Sequence, residues 1–309
     1  MSARFLTVVL ERAFNMRDGF GREIDYMRIS VIDSCNLNCY YCNPCDNNEH
    51  CHALNILSVK EVLCIVRAAT RLGIKHFRLT GGEPLLHPQL DEMVLQIKKI
   101  PGVSSVSLTT NAVLLAQHAK WLKEAGIDSI NVSLDTIDAS EYERITKKPL
   151  LEEVKHGINA AIECGIRVKI NVVLTPQTDV VALTRYVAKK GTDIRFIEMM
   201  PVGEGHTNGV EPYKKVIGTL SKLYGEPCRI NTEKTKEINS GNDKRKIPDN
   251  GPAEYYIFPE LGIRVGLIQA IHGKFCDTCN RIRVTADGRL MPCLGSSVTM
   301  DLVPDSCEF

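Results

Sequence analysis

The sequence predicts an α/β protein built on a parallel sheet, and three observations predict it. Short runs rich in β-branched and apolar residues alternate with segments whose apolar residues recur every three to four positions. Four of the helical segments stop at a glycine, Gly73, Gly126, Gly165 and Gly191. Strand and helix keep alternating from Met27 to Met199, the pattern of βαβ units.

The first predicted strand covers residues 27–32. Ser58-Val59-Lys60-Glu61 then reads as a capping box, in which the hydroxyl takes a backbone N–H three residues on and the carboxylate reaches back. The helix it opens sets Val62, Ile65, Val66, Ala69 and Leu72 on one face. Strands over 74–80, 104–109, 129–134, 167–174 and 193–199 follow, separated by helices over 88–100, 112–125, 151–164 and 179–190. Six strands, each but the last followed by a helix, are too few for a closed eight-stranded barrel. Periodicity alone leaves a doubly wound sheet and an incomplete barrel open. Cys64 and Cys164 fall on apolar helical faces and read as buried packing residues.

Beyond residue 202 the character changes, which divides the chain into a core over 1–202 and a smaller unit over 203–309. Gly203, Gly205 and Gly209 open a loop, and an amphipathic helix covers 213–224. A stretch of mixed charge from Lys234 to Asn250 reads as solvated loop. Two strands between 254 and 270 turn at Pro259-Glu260-Leu261-Gly262.

The 309 residues are 44% hydrophobic and 24% charged, the make-up of an ordinary globular chain. A net charge of +1 leaves no global electrostatic footprint for nucleic acid or a membrane surface, so an anionic ligand must be met by local basic residues. No apolar run approaches the ~20 residues of a membrane span. The apolar stretch 5–10 runs into Glu11 and Arg12 with no small-residue cleavage site, so no signal peptide is read. Twelve cysteines are too few for a disulfide framework in a chain of this length, and the reducing cytoplasm is the expected compartment.

The chemistry gathers in two cysteine groups. Cys35, Cys39 and Cys42, spaced C-x3-C-x2-C, follow the first strand directly. Three thiolates can hold three irons of a cubane cluster and leave the fourth open to an exogenous ligand. A zinc site competes, with Cys45, His50, Cys51 and His52 as nearby fourth ligands. Cys276, Cys279 and Cys293 form a C-x2-C-x13-C group, for which zinc competes again, with Cys307 as the fourth ligand.

Two further groups stand at strands. Gly81-Gly82-Glu83-Pro84 follows the second, where paired glycines let the backbone approach a ligand and Glu83 can accept from an amine. A plain tight turn is the alternative. Arg28, Arg78, Lys169 and Arg195 interrupt apolar strands, where a charge needs a partner or a ligand. Salt bridges to Glu83, Asp135 or Glu198 would satisfy them internally, whereas convergence on the carboxyl-end rim of the sheet would bind phosphates.

The first cysteine group, with Tyr41 before its last member, resembles the signature of radical S-adenosylmethionine (SAM) enzymes. The whole combination resembles the GTP 3′,8-cyclase family, which opens molybdenum-cofactor biosynthesis. The resemblance runs from about residue 18 to about residue 294. It is carried by Phe20-Gly21-Arg22, Arg28-Ile29-Ser30-Val31, Leu79-Thr80-Gly81-Gly82-Glu83-Pro84-Leu85, Thr109-Thr110-Asn111, Asn131-Val132-Ser133-Leu134-Asp135, Lys169-Ile170-Asn171-Val172-Val173, Arg195-Phe196-Ile197-Glu198 and both cysteine triplets.

It implies a partial barrel of six βα units with a smaller α+β cluster-binding domain after it. It also implies two 4Fe–4S clusters, one on Cys35, Cys39 and Cys42 that chelates SAM, and one on Cys276, Cys279 and Cys293. Tyr41, Gly81, Gly82, Glu83, Ser133 and Met200 match positions that touch SAM, and Arg28, Arg78, Thr109, Lys169, Arg281 and Arg283 match positions around GTP. The implied reaction begins with a 5′-deoxyadenosyl radical that takes the hydrogen from C3′ of GTP, after which C3′ attacks C8 of guanine. The implied partners are GTP and an electron donor such as flavodoxin or ferredoxin, in a cytoplasmic homodimer with no nucleic acid and no membrane. The sequence departs from the family pattern at His76 and His87, where relatives commonly carry basic residues, at Asn43 for a methionine, and at Ala112 for a glycine. It also reaches Phe309 without the helical tail ending in Gly-Gly. A paralogue acting on another nucleotide or a peptide, and a metal-binding protein without turnover, are the alternatives.

Overall fold

Each predicted strand of the core forms. In the computed structural model, which describes residues 16–42, 55–201, 209–230, 251–296 and 298–302, β1 (Tyr26–Ser30), β2 (His76–Thr80), β3 (Ser105–Thr110), β4 (Ser129–Ser133), β5 (Val168–Leu174) and β6 (Asp193–Glu198) lie side by side in chain order, all parallel. The connections are α1 (Val59–Arg71), α2 (Leu90–Lys98), α3 (Leu115–Glu124), the pair α4 (Ala139–Thr146) and α5 (Leu151–Glu163), and α6 (Val180–Lys189). The capping box at Ser58 is present in both directions, with Glu61 N donating to Ser58 Oγ at 3.2 Å and Ser58 N to Glu61 Oε2 at 2.7 Å. The four glycine stops all take positive φ, as a left-handed cap requires.

Alternate strand residues such as Ile29, Phe77, Leu79, Leu108 and Phe196 are fully buried against the helices, through Val62, Val66, Met93, Ile97 and Ile158. Each such side chain contributes about 1.5–3 kcal/mol on leaving water. The residues between them point the other way, and these carry the site.

α4 was not expected. It is short, it buries only Tyr142, Ile145 and Thr146, and it ends on Lys147 at φ +60° rather than on a glycine. Asp138 caps it, accepting from Glu141 N at 2.8 Å. Residues 213–224 also differ from one regular helix, with a π-helical turn over Tyr213–Ile217 leading into α7 (Gly218–Tyr224). Cys164 is half-buried and packs on the core. Cys64, by contrast, is not a buried packing residue: it lies beside the buried stripe of Val62, Ile65, Val66 and Ala69 rather than within it, is half-buried, and is disulfide-bonded.

The strands after residue 203 join the same sheet from both sides. β7 (Cys228–Ile230), β8 (Glu254–Ile257) and β9 (Arg264–Ile268) extend it past β6, with β9 parallel to β6. β10 (Arg281–Val284) lies parallel to β1 at the opposite edge, with β11 (Arg289–Met291) and β12 (Met300–Asp301) antiparallel beyond it. The chain between β9 and β10, residues 269–280, therefore crosses from one edge of the six-stranded array to the other, and the division at residue 202 falls within one continuous sheet. The strands β7 and β10 to β12 were unforeseen, since they are two to four residues long and β10 interleaves two arginines.

Among the described residues no helix is long and apolar enough to cross a membrane. Stretch 5–10, Asn43, Cys45, His50, Cys51, His52, Gly203, Gly205, Cys307 and the whole charged run Lys234 to Asn250 lie outside the described residues.

Candidate active site

The loop with the first three cysteines is held by main-chain bonds. Gly82 N donates to Ile32 O and Glu83 N to Ser34 O, each at 2.7 Å. From the other side Asn38 N donates to Thr146 O at 3.0 Å and Tyr40 N to Ile145 O at 3.1 Å, so the last turn of α4 spends its orphan carbonyls on the loop. A Cβ on Gly81 would stand 2.3 Å from Ile32 O, and one on Gly82 2.1 Å from Ser34 O. The close approach that these glycines permit is to the cysteine loop itself, a different partner from the ligand read from sequence.

Glu83 is 1% exposed, and its carboxylate accepts from Leu85 N at 3.0 Å, Thr110 Oγ1 at 2.7 Å and Asn111 N at 2.7 Å. It ties the ends of β2 and β3 with donors of the protein. Asn111 in turn donates to Asn36 Oδ1 at 2.7 Å and to Cys35 Sγ at 3.8 Å, while Leu37 N points at the same sulfur at 3.5 Å. Cys35 and Cys42 are exposed and Cys39 is half-buried. Three thiols on one short loop, with N–H donors at a sulfur, fit a thiolate-ligated cluster. Among the described residues no three such side chains converge on one point as a single-ion site requires, which a cluster taking one thiolate per iron does not ask of them.

Beside this loop Tyr41 donates its hydroxyl to Asp135 Oδ2, and Asp135 Oδ1 accepts from Val173 N at 2.7 Å. Burial pushes Asp135 up to about 6 and the Tyr41 phenol well above its ordinary value. Ser133 is exposed at the end of β4 and Met200 half-buried just after β6, so the positions matched to SAM share the carboxyl end of the sheet.

The basic residues lie elsewhere than predicted. Arg28, Arg78, Lys169, Arg195 and Arg281 line one cavity of about 550 Å³ that reaches Ser104, Asp128 and Arg167 at the amino ends of the strands. They occupy the middle and the amino half of their strands, not the rim; period-two alternation turns them away from the core face, and their place along each strand sets their depth. Register sets Arg28 between Arg78 and Arg283, and Tyr26 beside Arg281. Burial, then Arg283, then Arg78 lower the Arg28 pKa to about 9, and burial also lowers Arg283. Arg28 Nε and Arg281 Nε are buried without a partner. Arg78 donates to the Tyr26 hydroxyl and, at 3.4 Å, to half-buried Thr109. Arg195 Nε donates to Asn171 Oδ1 at 2.9 Å.

Glu83, Asp135 and Glu198 are engaged with other donors, so the expected internal salt bridges to them are not what steadies this group. Crowded, desolvated cations of this kind are arranged for an anion. Tyr26, Ser107, Asn131 and Asn171 also line it, and sequence reading passed over them although they share the strand parity of the basic residues.

Arg28 also lines a second cavity of about 440 Å³, with Ser30, Asp33, Thr80, Gly81 and Arg283. It thus stands between the basic chamber and the carboxyl-end site. Of the two departing histidines, His76 lines the chamber, with Nδ1 2.8 Å from Ser105 Oγ and its ring stacked near Tyr26, and burial lowers its pKa. His87 is a core residue, 2% exposed, bonded through Nε2 to Leu57 O at 2.9 Å and accepting from Gln89 N at 3.1 Å.

Cys276 and Cys279 of the second triplet lead directly into β10 and so place Arg281 and Arg283, while Cys293 follows β11. Cys276 and Cys293 are exposed and Cys279 half-buried, again three open thiols near one loop. Arg22 Nη1 donates to Cys276 O at 2.6 Å while its Nε is fixed by Asp18 Oδ2 at 2.6 Å. Asn280 Nδ2 donates to Asp25 Oδ1 at 2.6 Å.

Comparison with known proteins identifies the family. The Radical SAM superfamily matches residues 29–183 and the Molybdenum Cofactor Synthesis C family residues 192–305. The chain is 37% identical over 282 residues to a GTP 3′,8-cyclase of Clostridium perfringens (strain SM101 / Type A), covering 90% of this chain and 83% of that one. It is 38% identical over 294 residues to one of Pelotomaculum thermopropionicum, covering 93% and 86%. Among solved structures, Streptococcus suis SuiB bound to S-adenosylmethionine superposes with a TM-score of 0.63 at 15% identity, over 90% of this chain and 63% of that one. Native anSMEcpe with bound AdoMet superposes with a TM-score of 0.58 at 17% identity, over 88% and 75%. That likeness is one of fold, and it resolves the choice between a doubly wound sheet and a partial barrel in favour of the barrel.

Proposed function

This chain belongs to the GTP 3′,8-cyclase family of the radical SAM superfamily, and from that premise we propose that it converts GTP to (8S)-3′,8-cyclo-7,8-dihydroguanosine 5′-triphosphate, the first step of molybdenum-cofactor biosynthesis. The observation that carries the reading is the placement of Arg28, which lines both the basic chamber and the cavity at Gly81. A nucleotide whose triphosphate lies in the chamber has its sugar directed at the SAM side.

Cys35, Cys39 and Cys42 would hold one 4Fe–4S cluster and Cys276, Cys279 and Cys293 the other, and SAM would lie at Tyr41, Gly81, Gly82, Glu83, Ser133 and Met200. When bound, the first cluster and SAM supply the 5′-deoxyadenosyl radical that takes the C3′ hydrogen. The chain's own work is positioning. Arg28, Arg78, Lys169, Arg281 and Arg283 neutralise and orient the triphosphate, with Thr109 at the substrate beside Arg78. Their desolvation in the ligand-free protein makes the anion's arrival favourable, and the enclosing strands keep water from the reacting carbon. Residues 1–202 form the radical core, and residues 203–309 form the auxiliary cluster domain that supplies β9 and β10 to its two edges. Flavodoxin or ferredoxin is the electron donor, and the active form is a homodimer.

The test is anaerobic. The reconstituted protein is given reductant and SAM, and 5′-deoxyadenosine is quantified with and without GTP. The reading predicts a GTP-dependent rise with a matching amount of cyclised nucleotide. Deoxyadenosine that ignores GTP would assign the same machinery to another substrate.

A further inference from the structure

We propose that Glu198 and His272 form a latch that fixes the strap carrying Cys276 and Cys279, and thereby sets where the second cluster stands relative to the SAM end of the barrel. This rests on reading the second triplet as a cluster site. The strap, residues 269–280, leaves β9 at one edge of the parallel array and enters β10 at the other without pairing to a strand on the way. Its placement therefore depends on what grips it.

On the β6 side one buried carboxylate supplies the grip. Glu198, the last residue of β6 and 3% exposed, accepts from Ile271 N at 2.7 Å and His272 N at 3.1 Å through Oε2, and from His272 Nδ1 through Oε1. Three donors converging on one carboxyl group make a strong hydrogen-bonded anchor. The same residue sits two positions before Met200, so one side chain joins the SAM end of β6 to the segment that leads to Cys276. On the β1 side Arg22 and Asp25 grip Cys276 O and Asn280. Neither Glu198 nor His272 lines the basic chamber, so both act through position rather than on substrate.

Three variants test this: E198Q, which keeps the shape but not the charge; H272A, which removes the ring donor; and H272N, which restores an N–H near the Nδ1 position. Each is reconstituted anaerobically, checked by circular dichroism, and assayed for deoxyadenosine, cyclised nucleotide and the electron paramagnetic resonance (EPR) signal lost on Cys276→Ser. We expect E198Q and H272A to make deoxyadenosine with their first cluster intact, to yield roughly tenfold less cyclised nucleotide per deoxyadenosine, and to show an altered second-cluster signal. H272N should recover both. Should E198Q fail to fold, the half-exposed His272 pair decides alone. Wild-type coupling and an unaltered signal in H272A, or no rescue by H272N, would overturn the latch. A wild-type EPR spectrum that Cys276→Ser leaves unchanged would overturn the cluster reading, and the latch with it.

Discussion

The two cysteine loops are held by different means. The first is gripped chiefly by main chain, with the Gly82 and Glu83 amides on one side and the Thr146 and Ile145 carbonyls of α4 on the other, and Asn111 and Asp135 add side-chain bonds to Asn36 and Tyr41. The second is gripped by side chains distant in sequence, Arg22, Asp25 and Glu198. Main-chain grips tolerate side-chain change but fail when a Cβ blocks the approach. Side-chain grips can be removed one at a time. The first cysteine loop, the radical-forming site in the function proposed above, is thus fixed by the fold, while the second is set by a few separable contacts.

The largest effect should come from forcing a side chain into the first grip. In G82A the new Cβ would meet the Ser34 and Asp33 carbonyls at 2.1 and 2.4 Å, with no flexible neighbour to yield. Iron content should fall by the first cluster, and deoxyadenosine formation should be lost. Retention of both would mean that the loop is not seated on Gly82.

R22A probes the second grip. It should weaken retention of the second cluster by about tenfold while deoxyadenosine formation continues, read from iron and sulfide analysis after gel filtration. An equal loss of both clusters would erase the distinction between the loops.

Between the two loops lies the basic chamber. Arg28 has a folded pKa lowered to about 9, so burial destabilises its charged form at every pH below that value. R28M should therefore raise the melting temperature of the ligand-free protein while weakening GTP binding roughly ten- to a hundredfold, by calorimetry. His76 gives a smaller, pH-dependent term. Its pKa is lowered by burial in the free protein, and a triphosphate raises it again, so binding takes up a proton between the two values. GTP affinity should rise as pH falls through that window, and in H76Q this part of the pH dependence should disappear.

The smallest effect is one of backbone. Ala112, next to the Asn111 that supports Cys35, adopts φ +65°. A112G should stabilise the protein by about 1 kcal/mol in denaturant melts and leave turnover unchanged.

What was legible in the sequence follows the same division. The strand and helix order, the capping box at Ser58 and the glycine stops could be read because each is a local signal. α4 could not, since it ends on Lys147 and offers barely two turns of periodicity. The basic residues were visible as anomalies within strands, yet their depth in the barrel was not, because strand parity gives the face and not the height of a cavity. The grip of Glu198 on the strap joins residues more than seventy positions apart, and no pattern in either segment announces it.

The most direct test of the central claim, that one triplet generates the radical and the other places the nucleotide, compares Cys39→Ser with Cys276→Ser after anaerobic reconstitution, measuring deoxyadenosine and cyclised nucleotide together. The account predicts that Cys39→Ser makes neither, and that Cys276→Ser still cleaves SAM but yields no cyclised product. Identical behaviour of the two variants, whether both silent or both coupled, would contradict it.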